Sequence, residues 1–205
     1  VTRWLSLQWD PLQVIRLAKR RDSRIARFIE QGGGRFLRGS TFYEDLIKTI
    51  CTINANWAFT VRMVESLVHQ IGNQTFPTPV QIVNAGEEVL RRDLKLGFRA
   101  RVIAELSQGL LNKHVVDEDG NSIGESISFD DLIKLRGIGQ YSASHVAMLS
   151  HDFSHIPIDS EVTHYCGSRY KLDPQDIESF FEPWGKYKFL GYKVGRILDN
   201  SNWAG

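Results

Sequence analysis

Residues 132–162 read LIKLRGIGQYSASHVAMLSHDFSHIPIDSEV. An apolar run ends near Leu135. Gly137 and Gly139 then bracket Ile138, and a second run with helical spacing begins near Gln140. Glycine takes positive φ without strain and lets another backbone come close. Ile138 plugs the apolar space between two helices joined by a tight turn. The second helix presents its unpaired amides and positive dipole end there. Amides with no side chain in front of them form a phosphate site. The carbonyls of Ile133, Leu135 and Ile138 end the first helix at the same place, suited to a monovalent cation beside the phosphate. Ala143 is small enough for close helix packing. The same turn also serves purely structural ends in other helix pairs.

The rest of the chain bounds the class. At 205 residues it builds one sizeable core or two small lobes. Its 42% hydrophobic and 24% charged residues are ordinary for a globular protein. No apolar run is long enough to span a membrane, and no secretory signal or repeat is legible. Cys51 and Cys166 form no CxxC pair, which argues against zinc, a cysteine-bound iron–sulfur cluster or a disulfide framework and for two buried thiols. Net charge is only +1, yet residues 16–38 hold Arg16, Lys19, Arg20, Arg21, Arg24, Arg27, Arg35 and Arg38 against Asp22 and Glu30. Such a patch attracts a polyanion, or forms a solvated helix face.

Helical spacing and caps account for nearly every segment. Asp10-Pro11 opens one helix, and Gly32-Gly33-Gly34 ends the next. Ser40 or Thr41 caps a pair broken near Asn54-Ala55-Asn56. Pro77 and Pro79 mark a turn, and Gly97 separates two further helices. Ser128 or Asp130 caps DDLIKL, and Pro183 splits the last pair. VVDEDGNSI (115–123) reads as a small hairpin or loop. RWLSLQW (3–9) reads as a strand, the last of a domain that was cut away or lies upstream. With no βαβ rhythm the fold class is all-α.

Asp159 follows Pro157-Ile158 and precedes another helical run. It serves as an N-cap, or it does chemistry. A carboxylate beside a phosphate-gripping turn is electrostatically costly, so its presence asks for chemistry that needs negative charge. Breaking a base–sugar bond is such chemistry. Positive oxocarbenium character builds at C1′, and a fixed carboxylate stabilises it and orients the attacking water.

The pattern apolar-x-Gly-apolar-Gly-x-x-x-Ala resembles the helix-hairpin-helix DNA-binding motif. With PIDSEV about twenty residues on, the chain resembles the helix-hairpin-helix/Gly-Pro-Asp superfamily of DNA glycosylases over almost its whole length. It leans toward the 8-oxoguanine and 3-methyladenine branch. FLRGSTFYEDLIKTICTINAN resembles the stretch entering that branch's base-flipping loop. LKLGFRARVI resembles its Leu-Gly-aromatic-Arg-Ala-Arg segment, and FFEPWGKYKFLGY its C-terminal Trp-containing helix. The resemblance implies two helical lobes with the active cleft between them. Residues 1–39 pack with a C-terminal lobe, 149–205, that carries Asp159; a central lobe, 40–148, ends in the hairpin.

The resemblance also implies roles. Asp159 is the catalytic carboxylate. Gly137, Ile138, Gly139, Tyr141 and His164 bind the DNA backbone. Asn54 fills the gap left by a flipped base, and Arg99 reads the opposite base. Phe59 stands where that branch has a second arginine. Tyr141, His145, Tyr192 and Arg196 line the base pocket; the last two replace the branch's glutamine and stacking phenylalanine. Glu161 replaces a phosphate-contacting group. Tyr141 stands where bifunctional members carry the lysine that forms a Schiff base, and tyrosine forms no imine. Lys134, Lys171 and Lys193 are the remaining amines weighed for that role. Trp57, Phe181, Trp184 and Tyr187 serve a pocket or, as aromatics at helical spacing more often do, the core.

The expectation is a monofunctional glycosylase of base excision repair acting on an oxidised or alkylated purine. Its alternative is a non-catalytic hairpin DNA-binding module. The expected partner is double-stranded DNA with a damaged base, met by a monomer without a membrane. The expected cofactors are none beyond structural K+ or Na+ at the hairpin. The expected compartment is the nucleoid or the nucleus.

Overall fold

In a computed structural model of the protein, residues 1–123 and 127–201 are described. They form an all-α fold in which the only β feature among the described residues is one bridge, Val116 to Ser122. The helices are α1 Leu12–Arg21, α2 Ser23–Glu30, α3 Phe42–Thr52, α4 Trp57–Gln70, α5 Pro79–Arg92 and α6 Arg99–Asn112, then α7 Phe129–Leu132, α8 Gln140–Leu149, α9 Ser160–Tyr170, α10 Ile177–Phe180 and α11 Lys188–Asn200. Short 3-10 turns at Pro174–Asp176 and Glu182–Tyr187 flank α10. No described helix is long and apolar enough to cross a membrane.

Caps explain most of the starts. Thr41, rather than Ser40, accepts the Glu44 N–H at the head of α3. Thr78 and Gln81 make a reciprocal capping box with Pro79 at the first helical position of α5. Ser128 and Asp131 do the same for α7. Gly86 kinks α5 at φ 75°.

The chain divides into two compact units. One comprises Val1–Arg38 and the chain from Ala147 onward; the other is Gly39–Val146. The first has a core of Val14, Ala18, Ile25 and Ile29 with Phe153, Val162, Cys166, Ile177, Leu190 and Val194. Phe36, Phe153 and Phe189 meet there with ring centroids 5.2 to 6.3 Å apart. The second is centred on α5 and α6, its most extensive helix pairing. Leu46 and Ile50 of α3, Met63 and Leu67 of α4, Ile82 and Leu90 of α5 and Ile103 of α6 are buried there. Both cysteines are free and buried. Burial pushes the Cys51 thiol up to about 12, so neither its acidity nor its access suits a nucleophile.

Residues 3–9 depart from the strand expected of them. They coil into turns, with Ser6 N–H donating to the Arg3 carbonyl and Leu7 N–H to that of Thr2. Ser6 sits at φ 51°, which no strand tolerates. Arg35 holds the segment, donating to the carbonyls of Ser6 at 2.6 Å and Trp9 at 3.1 Å. Among the described residues no strand offers a ladder, so the backbone satisfies itself locally. Of the basic run, Arg35 is therefore spent on structure, while Arg16, Arg20 and Arg21 stay exposed on α1.

His151 follows α8 in the first unit at φ 69°, its Nε2 buried without a hydrogen-bond partner. Burial first, then the charges of Arg38, Arg3 and Arg35, push its imidazole from 6.5 down to about 4. Between those values the unfolded chain holds a proton that the folded chain does not. The fold therefore loses stability as pH falls from about 6.5 towards 4. His151→Asn keeps a residue that tolerates positive φ. Urea unfolding from pH 7 to pH 4.5 should show a flatter decline in the variant; an unchanged slope would refute this role for His151.

Candidate functional site

The hairpin belongs to the second unit. Past α7, Leu135 N–H donates to the Leu132 carbonyl at 3.0 Å and Ile138 N–H to the Leu135 carbonyl at 3.1 Å. Gly139 opens α8 by accepting the Ala143 N–H at 2.9 Å. The first-turn amides of α8 precede any carbonyl of that helix able to accept them. Ile138 is 6% exposed and Ala143 fully buried, as a plug and a close-packing residue should be. The two glycines do different work. Gly137 has φ 86°, and a Cβ there would lie 2.6 Å from Val102 Cγ1, so the turn is pressed onto α6. At Gly139, among the described residues and apart from its own chain neighbours, no atom lies within 4 Å of where a Cβ would stand. Its missing side chain leaves open space rather than relieving a clash. Tyr141 and His145, one turn apart on α8, have ring centroids 5.8 Å apart, and both are half-buried.

The Asn54 turn lies in the same unit. Asn54 is exposed at φ 48°, and Asn56 caps α4 by accepting the Phe59 N–H at 2.8 Å. Arg99, at the head of α6, is 3% exposed and donates to the Ile53 carbonyl. Its guanidinium lies 5.6 Å from the Phe59 ring centroid and 4.5 Å from that of Phe98. Among the described residues its buried Nε finds no acceptor. Desolvation lowers the pKa of the guanidinium. Arg99 and Val102 are three residues apart on α6, roughly 4.5 Å along its axis. One helix end thus carries both the hairpin and the Asn54 turn.

The carboxylate belongs to the first unit. Asp159 is the N-cap of α9, and its Oδ1 accepts the Val162 N–H at 2.8 Å. Its other oxygen has no donor among the described residues, and the residue is half-exposed. The N-cap reading of Asp159 therefore holds, and one oxygen is left over from the cap. Glu161 pairs with Arg196 of α11. That hydrogen bond, and then the Lys193 charge, hold the Glu161 carboxyl below its usual range. Arg196 also donates to the Tyr192 hydroxyl at 3.1 Å. Tyr192 is 2% exposed, ringed by Tyr165, Phe181 and Phe189. Burial raises its pKa, Arg196 opposes this, and the charges of Glu161 and Asp159 add to the rise, which puts Asp159 within electrostatic reach of that hydroxyl. His164 is exposed one turn further along α9. Among the lysines, Lys134 pairs with Asp131 and Lys171 donates to the Ser168 carbonyl; Lys193 stands by Glu161. Among the described residues no group of three His, Cys, Asp or Glu side chains is placed to hold a metal.

Trp57 contradicts its assignment to the core. It is 77% exposed at the first position of α4, where helical spacing does not yet define a buried face. Phe181 is buried, and Trp184 and Tyr187 pack against the first unit's core. Phe98, the aromatic of LKLGFRARVI to which the sequence assigns no role, is 52% exposed.

No family model matches the chain. The N-glycosylase/DNA lyase of Saccharomyces cerevisiae is 26% identical over 151 residues, 63% of this chain and 40% of that protein. The chain thus spans about two fifths of the length of this relative. The 8-oxoguanine glycosylase/lyase of Clostridium acetobutylicum superposes with a TM-score of 0.70 at 19% identity, over 93% of this chain and 73% of that one. The 3-methyladenine DNA-glycosylase of Archaeoglobus fulgidus does so with 0.61 at 19%, over 95% and 73%. The chain shares its fold with these two glycosylases.

The Gly137–Val102 approach is testable through stability. Gly137→Ala adds both a clash and a strained φ, and should cost about 1–3 kcal/mol in urea unfolding. Adding Val102→Ala should recover the steric part only. Gly139→Ala should be near neutral. Equal losses at the two glycines would contradict the division of labour.

Proposed function

We propose that this protein is a monofunctional DNA N-glycosylase that removes an oxidised or alkylated purine from double-stranded DNA, acting as a monomer. The single observation that carries the reading is the Asp159 carboxylate, fixed through one oxygen and available through the other. The hairpin of Gly137, Ile138 and Gly139 grips a phosphate, with open space at Gly139 for the strand. His164 adds a backbone contact. A monovalent cation at the carbonyls of Ile133, Leu135 and Ile138 would supply a second charge to that phosphate; the Leu135 carbonyl, with one hydrogen bond accepted, keeps a lone pair for it.

The target base leaves the stack before its sugar is reached. Asn54 fills the space it vacates and Arg99 serves the opposite base. Tyr141, His145, Tyr192 and Arg196 are the residues proposed to meet it. As the glycosidic bond lengthens, positive charge grows at C1′, and the Asp159 carboxylate stabilises it. Water adds its oxygen to C1′ and gives its proton to Asp159. The base departs with the glycosidic electron pair, and an abasic site remains. Tyr141 offers no amine for a Schiff base, so the strand stays whole.

One observation favours a second reading. Lys193 stands beside Glu161, two residues from Asp159, and two of the named relatives are lyases. An amine there would attack C1′ in place of water. Duplexes carrying 8-oxoguanine, 7-methylguanine, 3-methyladenine, hypoxanthine, uracil or a mismatched thymine separate the cases. The expected result is base release from a purine lesion, strand breaks only after hot alkali, and no borohydride-trapped adduct. Breaks without alkali and an adduct lost in Lys193→Gln would establish the lyase. Binding without release from any lesion would establish a non-catalytic DNA-binding module.

A further inference from the structure

Trp57 stands three residues beyond Asn54 and is 77% exposed. A lone exposed aromatic needs no explanation by itself. Its setting does. The turn that presents it is held by Arg99, whose guanidinium is buried against Phe59 and Phe98 and directed at the Ile53 carbonyl. Burying a guanidinium with its Nε unanswered is a costly way to fix a surface turn. Asn54, the next residue, is held at φ 48°. A second cation, exposed Arg62, lies 5.8 Å from the Phe59 ring. The patch therefore combines a turn anchored by the buried Arg99, an indole open to solvent and the exposed guanidinium of Arg62, and a single turn of α6 separates its anchor from the hairpin at Val102.

The occupant that matches is a nucleobase. It is flat, has two apolar π faces, and is tied to a polyanion that Arg62 and the hairpin attract. A paired, stacked base has no free face to offer. A base whose partner has been extruded has lost its pairing and lies beside a gap in the stack. We infer that Trp57 stacks on the nucleobase left unpaired when its partner is flipped out, an inference that rests on the glycosylase reading.

The experiment uses the full chain and two duplexes. One is fully paired. The other carries a tetrahydrofuran abasic analogue opposite 2-aminopurine, whose fluorescence reports stacking. Trp57→Ala should leave the melting temperature unchanged, since the side chain supports no core. It should weaken binding to the abasic duplex about tenfold and leave the paired duplex unaffected. Quenching of 2-aminopurine by the wild type should disappear in Trp57→Ala and largely return in Trp57→Phe. Wild-type affinity for the abasic duplex in Trp57→Ala, or an equal loss on both duplexes, would overturn the inference while leaving the glycosylase reading intact if the wild type still releases a base. Wild-type protein that neither prefers the abasic duplex nor releases any base would overturn both.

Discussion

Asp159 accepts the Val162 N–H through Oδ1 at 2.8 Å, and the chemistry assigned to the molecule depends on that bond. A cap of this kind is worth about 1 kcal/mol to the helix that follows. Its larger effect is geometric. A free aspartate samples several rotamers, whereas a capping aspartate is restrained by its bond to the helix amide. The helix dipole also favours negative charge at that end. The α9 helix thus orients a carboxylate with no further side chain needed to hold it. Nearby, the Glu161–Arg196 pair ties α9 to α11, and Arg196 is itself held by donating to the Tyr192 hydroxyl within α11. The carboxylate is therefore carried on a braced element rather than on a free loop.

In the other unit, α6 plays the comparable part. Its first turn carries Arg99, which holds the Asn54 turn by the Ile53 carbonyl, and Val102, against which Gly137 is pressed. Two features proposed to meet DNA are thus referred to one rigid rod. The cost is visible: a buried guanidinium with one unanswered N–H, and a glycine that no other residue can replace without clash.

Local chemistry made much of this legible. The hairpin could be read because two glycines, a plugging isoleucine and helical periodicity all lie within a dozen residues. Asp159 could be read as a cap for the same reason. What escaped was set by partners far along the chain or by position within a helix. Residues 3–9 carry a strand-like composition, but their conformation follows from Arg35, about thirty residues away. Arg99 reads as an opposite-base contact; its further part in holding the Asn54 turn is visible only because Ile53, 46 residues earlier, accepts from it. Glu161 looked like a lost phosphate contact; its partner lies 35 residues on. Trp57 was assigned to the core by spacing, yet the first residue of a helix has no preceding turn to bury it.

The measurement that bears most directly on the account is single-turnover base release by Asp159→Asn on the lesion duplex that the wild type prefers. Asparagine is as good a cap as aspartate, so α9 and the fold should survive and the change should remove only charge. Release should fall by about a hundredfold or more while affinity for the duplex is kept or improved. Release at the wild-type rate from a folded Asp159→Asn protein would contradict the account.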